Sequence, residues 1–122
     1  MRSRLSPVEQ REALAALRRA YERELPAKVE AIARALPGPQ ADGPDAACLD
    51  DLYHLAHRLA GSAAIYGFDD VRHAAAALES LVMSAIEGRI PRSARLREEL
   101  TAVVARLRQS LPAPSPDLDK RH

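Results

Sequence analysis

Apolar residues recur along this chain at steps of three and four, the period of a helix. Nowhere do they alternate in the two-residue rhythm of a strand. The first stripe is Leu14, Leu17, Tyr21, Leu25, Val29, Ile32 and Leu36, with steps of 3, 4, 4, 4, 3 and 4. It keeps its phase across Pro26, so the pattern predicts one long helix kinked near that proline and not two helices. Ser6-Pro7-Val8-Glu9 reads as its start: Ser6 is a cap, Pro7 suits the first helical position, and Glu9 falls where a capping-box carboxylate belongs. Residues 37–45 hold three prolines and two glycines and read as a loop, with Asp45 placed to cap the second helix.

The second stripe is Leu49, Leu52, Ala56, Leu59 and Ala63, flanked by Cys48 and Leu55 and closed by Gly67. Asp69 and Asp70 open a third helix, where acidic side chains complement the helix dipole, and its stripe is Val71, Ala75, Leu78, Val82 and Ala85. Gly88 and Pro91 bracket the next turn, and Ser93 or a neighbour caps the last helix, with Leu96, Leu100, Val103, Leu107 and Leu111 on its apolar face. Four amphipathic helices on short connections predict an all-α, antiparallel four-helix bundle over residues 1–111. Residues 112–122, with Pro112, Pro114 and Pro116 and then charges, are expected to form a flexible tail.

Composition narrows the class. With 122 residues and 47% hydrophobic content the chain is long and apolar enough for one domain with one core. Aromatics at 3% favour helix over a sandwich of strands. A net charge of +1 argues against a dedicated nucleic-acid binder. Arginines outnumber lysines 16 to 2 and are spread along every segment, which reflects base composition before function. Cys48 is the only cysteine, so no internal disulfide forms, as suits a reducing compartment. No apolar run reaches the roughly 18 residues of a membrane span, and Met-Arg-Ser-Arg does not lead into the apolar stretch of a secretory signal. The chain is expected to be complete, soluble and cytoplasmic, with no membrane contact. Its four stripes suffice to close a monomeric core.

The candidate chemistry centres on His57. On a helix its neighbours are positions 53, 54, 60, 61 and 64, and on the C-terminal side these are Ala60, Gly61 and Ala64, the smallest side chains available. A mid-helix glycine costs about 1 kcal/mol relative to alanine, so Gly61 needs a reason. Clearing the surface beside an imidazole is one, because imidazole is nucleophilic and largely neutral near pH 7. The run His57-Arg58-Leu59-Ala60-Gly61-Ser62-Ala63, with Gly67 ten residues after the histidine, resembles the motif of the histidine phosphotransfer (HPt) domain family. Val71, Ala75 and Leu78-Glu79 fall at the spacings of that family's next helix, and the resemblance covers roughly residues 10–110.

The resemblance implies a four-helix bundle carrying one phosphorylatable histidine, His57. That residue takes a phosphoryl group from a receiver-domain aspartate and passes it to another in a multistep relay. The implied partners are receiver domains of a hybrid histidine kinase or of a response regulator, which bring the aspartate and Mg²⁺; the chain itself needs no cofactor. The absence of any glycine-rich phosphate loop or kinase motif agrees with a phosphocarrier that does not bind ATP. Gly61 and Ala64 then leave room for the partner's loops. Glu79 matches a family position from which a side chain faces the histidine and holds the ring proton on Nδ1, freeing Nε2. Ser62 either donates to the phosphoryl oxygens or bonds back to its own helix.

One position departs from the family. Ala60 stands where the motif has a lysine whose charge can meet the phosphate, and Arg58 and Arg72 are the candidates to replace that charge. His54 and Ala60 join Arg72 on the expected docking face. The missing lysine also sustains a rival reading, a non-catalytic module that docks a receiver or kinase without carrying phosphate. His54 and His57 at i, i+3 have only Asp50 nearby as a further ligand, too few for a metal site, so none is expected. His73 opens the third helix, His122 lies in the tail, and Arg92, Arg95 and Arg97 read as a solvated helix face.

Overall fold

The computed structural model describes residues 4–39 and 41–113. Four helices occur in the order α1 (Pro7–Ala35), α2 (Ala46–Tyr66), α3 (Asp69–Ile86) and α4 (Ala94–Gln109). Among the described residues there is no strand. Around the bundle α1 packs on α2 and α4, and α3 packs on α2 and α4, while the backbones of the diagonal pairs stay apart. The α2–α3 pair is the most extensive.

The caps are the ones that the sequence spells. Ser6 Oγ accepts from the Glu9 amide at 3.1 Å while the Ser6 amide donates to Glu9 Oε1 at 2.8 Å, a complete capping box. Asp45 Oδ1 accepts from the Cys48 amide at 2.8 Å, and Ser93 Oγ from the Leu96 amide at 3.3 Å. Gly67 ends α2 with φ 78°, a left-handed conformation that glycine adopts without steric cost. Only Gly67 and Phe68 separate α2 from α3, so the chain doubles back at once and the two helices run antiparallel. α1 is one helix through Pro26, which lies on its exposed side.

The core matches the predicted stripes of α2, α3 and α4, with Val104 and Phe68 added. The first stripe needs correcting. Leu14 and Leu17 are 65% and 53% exposed, and burial on α1 begins only at Tyr21. Length explains it. At about 1.5 Å per residue α1 spans about 43 Å, against about 32 Å for α2 and about 24 Å for α4, so its first turns overrun their partners. Leu36 and Leu111, at the far ends of their stripes, are only half-buried. α4 stops at Gln109, and of the expected tail Pro112 and Ala113 are non-helical while residues 114–122 lie outside the described residues. Arg92 and Arg95 are exposed as expected, but Arg97 is half-buried.

The engagement of α1 is sealed by a cluster that the apolar pattern does not reveal. Tyr21 stacks on Tyr66 with ring centroids 4.5 Å apart and meets Phe68 at 5.7 Å. The Arg18 guanidinium lies 4.1 Å over the Phe68 ring, and its Nε donates to the Tyr66 carbonyl at 2.9 Å. That bond satisfies one of the carbonyls left open at the end of α2. Three of the chain's four aromatic residues, three tyrosines and one phenylalanine in all, thus clamp the α2–α3 turn to α1.

Candidate functional site

His57 stands on the outer edge of the α2–α3 pair, ten residues before Gly67, and Glu79 stands eleven after Phe68. Nearly equal distances from a two-residue turn bring antiparallel residues level, which is why positions 22 apart in sequence meet. His57 Nδ1 lies 2.7 Å from Glu79 Oε2. A carboxylate only accepts, so Nδ1 carries the proton and donates. In the neutral ring Nε2 is then left with its lone pair, on a side chain 62% exposed. Glu79 is itself only 25% exposed, so the ring is tethered by a partly sheltered group.

The surface beyond the ring is bare. A Cβ added to Gly61 meets no atom within 4 Å, and both Gly61 and Ala64 are exposed. Ile65, one position on, is 80% exposed. No contact inside the fold therefore asks for glycine at 61.

A family model described as Hpt domain matches residues 16–110. The chain belongs to the Hpt domain family. Hpt domains carry phosphoryl groups on histidine in phosphorelay signalling; they are phosphocarriers, not kinases, and they interact with receiver domains. The match begins only at residue 16, close to where α1 enters the bundle. No curated protein and no solved structure matches the chain significantly. No helix among the described residues is long and apolar enough to cross a membrane.

The remaining residues of this Hpt domain's motif face elsewhere. Ser62 is about 140° around α2 from His57. Its Oγ is 2.5 Å from the Tyr21 hydroxyl and donates to the Leu59 carbonyl at 3.3 Å. The first of these contacts ties Ser62 to α1, and the second is a bond back to its own helix. Burial pushes the Tyr21 phenol up, with the Ser62 bond opposing. Ala60 is half-buried against the core and presents no charge. Arg58 lines a groove between α1 and α2 with Lys28, Leu55 and Leu59. Arg72 sits 3.7 Å from Asp69 Oδ1 and 3.2 Å from His73 Nε2, about 10 Å along α3 from the level of Glu79. The contacts of Arg72 thus lie away from the His57 ring.

His54 Nε2 lies 3.4 Å from Asp50 Oδ1, and both side chains are mostly exposed. Among the described residues no group of three or more His, Cys, Asp or Glu could hold a metal ion. Cys48 Sγ donates to the Ala35 carbonyl at 3.2 Å, and burial pushes its thiol up, with Asp45 and Asp51 adding to the shift.

Tyr53 is the neighbour that sequence reasoning passed over. Its ring stacks on that of His57, centroids 5.6 Å apart and planes 13° from parallel. The available signal was its i−4 spacing, which puts an aromatic directly beside the histidine on the helix surface. Tyr53, Glu79, Ser80 and Arg89 also share a shallow cleft of about 370 Å³.

Proposed function

We propose that His57 is the phospho-acceptor of this Hpt domain and relays a phosphoryl group between receiver-domain aspartates. One observation carries the reading: an exposed imidazole whose Nδ1 is committed to Glu79 at 2.7 Å, leaving Nε2 as the free nucleophile. The Nε2 lone pair forms the new bond to phosphorus as the bond to the receiver's aspartyl oxygen breaks, and that electron pair leaves with the aspartate carboxylate. The ring, still protonated at Nδ1, becomes cationic, and Glu79 faces that charge. The reverse step returns the group to a second aspartate. Transfer of this kind rests on in-line positioning and charge stabilisation. The Mg²⁺ and the reacting aspartate belong to the receiver, and so does the cation that Ala60 does not supply. Gly61 and Ala64 give the receiver's loops their clearance. We read the domain as a cytoplasmic monomer, since the buried parts of its four stripes close one core within the chain.

Incubation with a phosphorylated receiver domain and Mg²⁺, resolved on a gel, tests the proposal. The expected product is an acid-labile label on the chain that is missing in His57→Gln. Glu79→Ala is expected to slow labelling about tenfold, the worth of one charge-assisted hydrogen bond of roughly 1.5 kcal/mol. Receiver binding that survives His57→Ala with no label on the wild type establishes instead the docking module that Ala60 allows.

A further inference from the structure

We propose that Tyr53 is a positioning residue for the phosphoryl-transfer step, holding the His57 ring in the one orientation that presents Nε2. The inference rests on the reading of His57 as acceptor and extends it to a residue outside the motif. A hydrogen bond at a single ring atom fixes one point. The ring hangs from Cβ by two rotatable bonds, and when both turn together with the Glu79 side chain following, the Nδ1 bond survives while Nε2 swings across the surface. Glu79 supplies that in-plane tether at 2.7 Å. Tyr53 supplies what the tether lacks, a near-parallel wall 13° from the ring plane, with centroids 5.6 Å apart. The wall stands at i−4 on the same helix, so it is rigid relative to the histidine backbone and independent of how α3 breathes. It is itself steadied at its edge by His54, whose ring meets it at 71°.

The same contact suits the product. Once Nε2 bears the phosphoryl group and Nδ1 keeps its proton, the imidazole is a cation, and a cation facing an aromatic ring is attracted by its quadrupole. Tyr53 also walls the cleft that it shares with Glu79. Neither effect uses the phenol oxygen, so the phenyl ring alone suffices.

Two measurements on the full chain test this, with Tyr53→Ala, Tyr53→Phe and His57→Gln. The first is ¹⁵N-detected ring-shift analysis of unphosphorylated His57, which reads the share of molecules protonated at Nδ1. The second is the rate of labelling by phosphoramidate, a donor that needs no docking; its P–N bond breaks as the bond to Nε2 forms, and ammonia leaves. Tyr53→Ala is expected to move the ring shifts toward those of a free histidine and to slow labelling roughly 3- to 10-fold, the scale of one aromatic contact. Tyr53→Phe restores both. Wild-type ring shifts and labelling in Tyr53→Ala overturn the proposal, as does failure of Tyr53→Phe to rescue. If phosphoramidate and a phosphorylated receiver both leave wild-type His57 unlabelled, the acceptor reading fails and the transfer role of Tyr53 fails with it. The ring shifts, which need no phosphate, show separately whether Tyr53 holds the ring.

Discussion

Gly61→Ala is expected to make the protein more stable and Gly61→Gln to make it a poorer relay, which separates what the fold needs at this position from what a partner needs. Glycine in mid-helix forfeits about 0.8–1 kcal/mol relative to alanine, because it surrenders the most backbone freedom on folding. That cost is normally offset by a close contact, and here the contact is missing: a Cβ at 61 meets nothing within 4 Å. Alanine should therefore recover nearly the whole propensity difference, a rise in midpoint of about 3–6 °C for a domain of this size. Glutamine keeps most of the gain, as a good helix former on an exposed site. It also places a long side chain one turn from His57, where a receiver must approach. Overfilling a close-packed contact costs about 1–3 kcal/mol, a loss of roughly 5- to 150-fold in receiver affinity. Thermal unfolding reads the first effect. The concentration dependence of transfer from a phosphorylated receiver reads the second, with phosphoramidate labelling of the same variants as a control that needs no docking. A lower midpoint in Gly61→Ala, or unchanged transfer in Gly61→Gln, refutes the idea that the bare patch exists for a partner.

The packing and the charges set three further outcomes. Leu78, fully buried on α3 next to Glu79, should lose about 2–5 kcal/mol of stability on change to alanine, checked by urea unfolding; a smaller cost shows that the α2–α3 interface collapses around the void. The hydrogen bonds of Arg108 to Glu30, at 2.8 and 2.9 Å, hold the Glu30 carboxyl below its ordinary range. A carboxyl lowered in the folded state binds fewer protons there than when unfolded, so its stabilisation is complete above the unfolded value, near 4.5, and is lost as pH falls through the folded value. Glu30→Gln should lose less stability than the wild type between pH 7 and pH 3, and equal losses dismiss the pair as a source of pH dependence. The Cys48 thiol, raised by burial and bonded to the Ala35 carbonyl, should react with a thiol reagent at pH 8 more slowly than a free cysteine; reaction at the free rate shows that the α1–α2 loop opens readily.

Much of this molecule is written in its local pattern. The four helices and the caps at Ser6, Asp45, Gly67 and Ser93 are set by residues within a turn or two of one another, and so were legible along the chain. The core faces of α2, α3 and α4 come from period alone. His57 with Gly61 could be singled out because both lie on one helix, and Leu78-Glu79 because the family's spacing carries across the turn. What periodicity could not tell is where a stripe stops being covered. Leu14 and Leu17 repeat as faithfully as Leu25, yet they overrun their partners, since burial depends on the length of the neighbouring helices and not on the helix that bears the stripe. What each side chain of α2 meets on a neighbouring helix was equally out of reach. Ser62 turns to Tyr21 and Arg58 to the α1 groove. The helices, their ends and the candidate nucleophile are thus local properties of the chain. Tyr53, at i−4 on the same helix, is a local neighbour too, whereas the tether is a property of packing, because two helices must first be laid level by their turn before Glu79 reaches Nδ1.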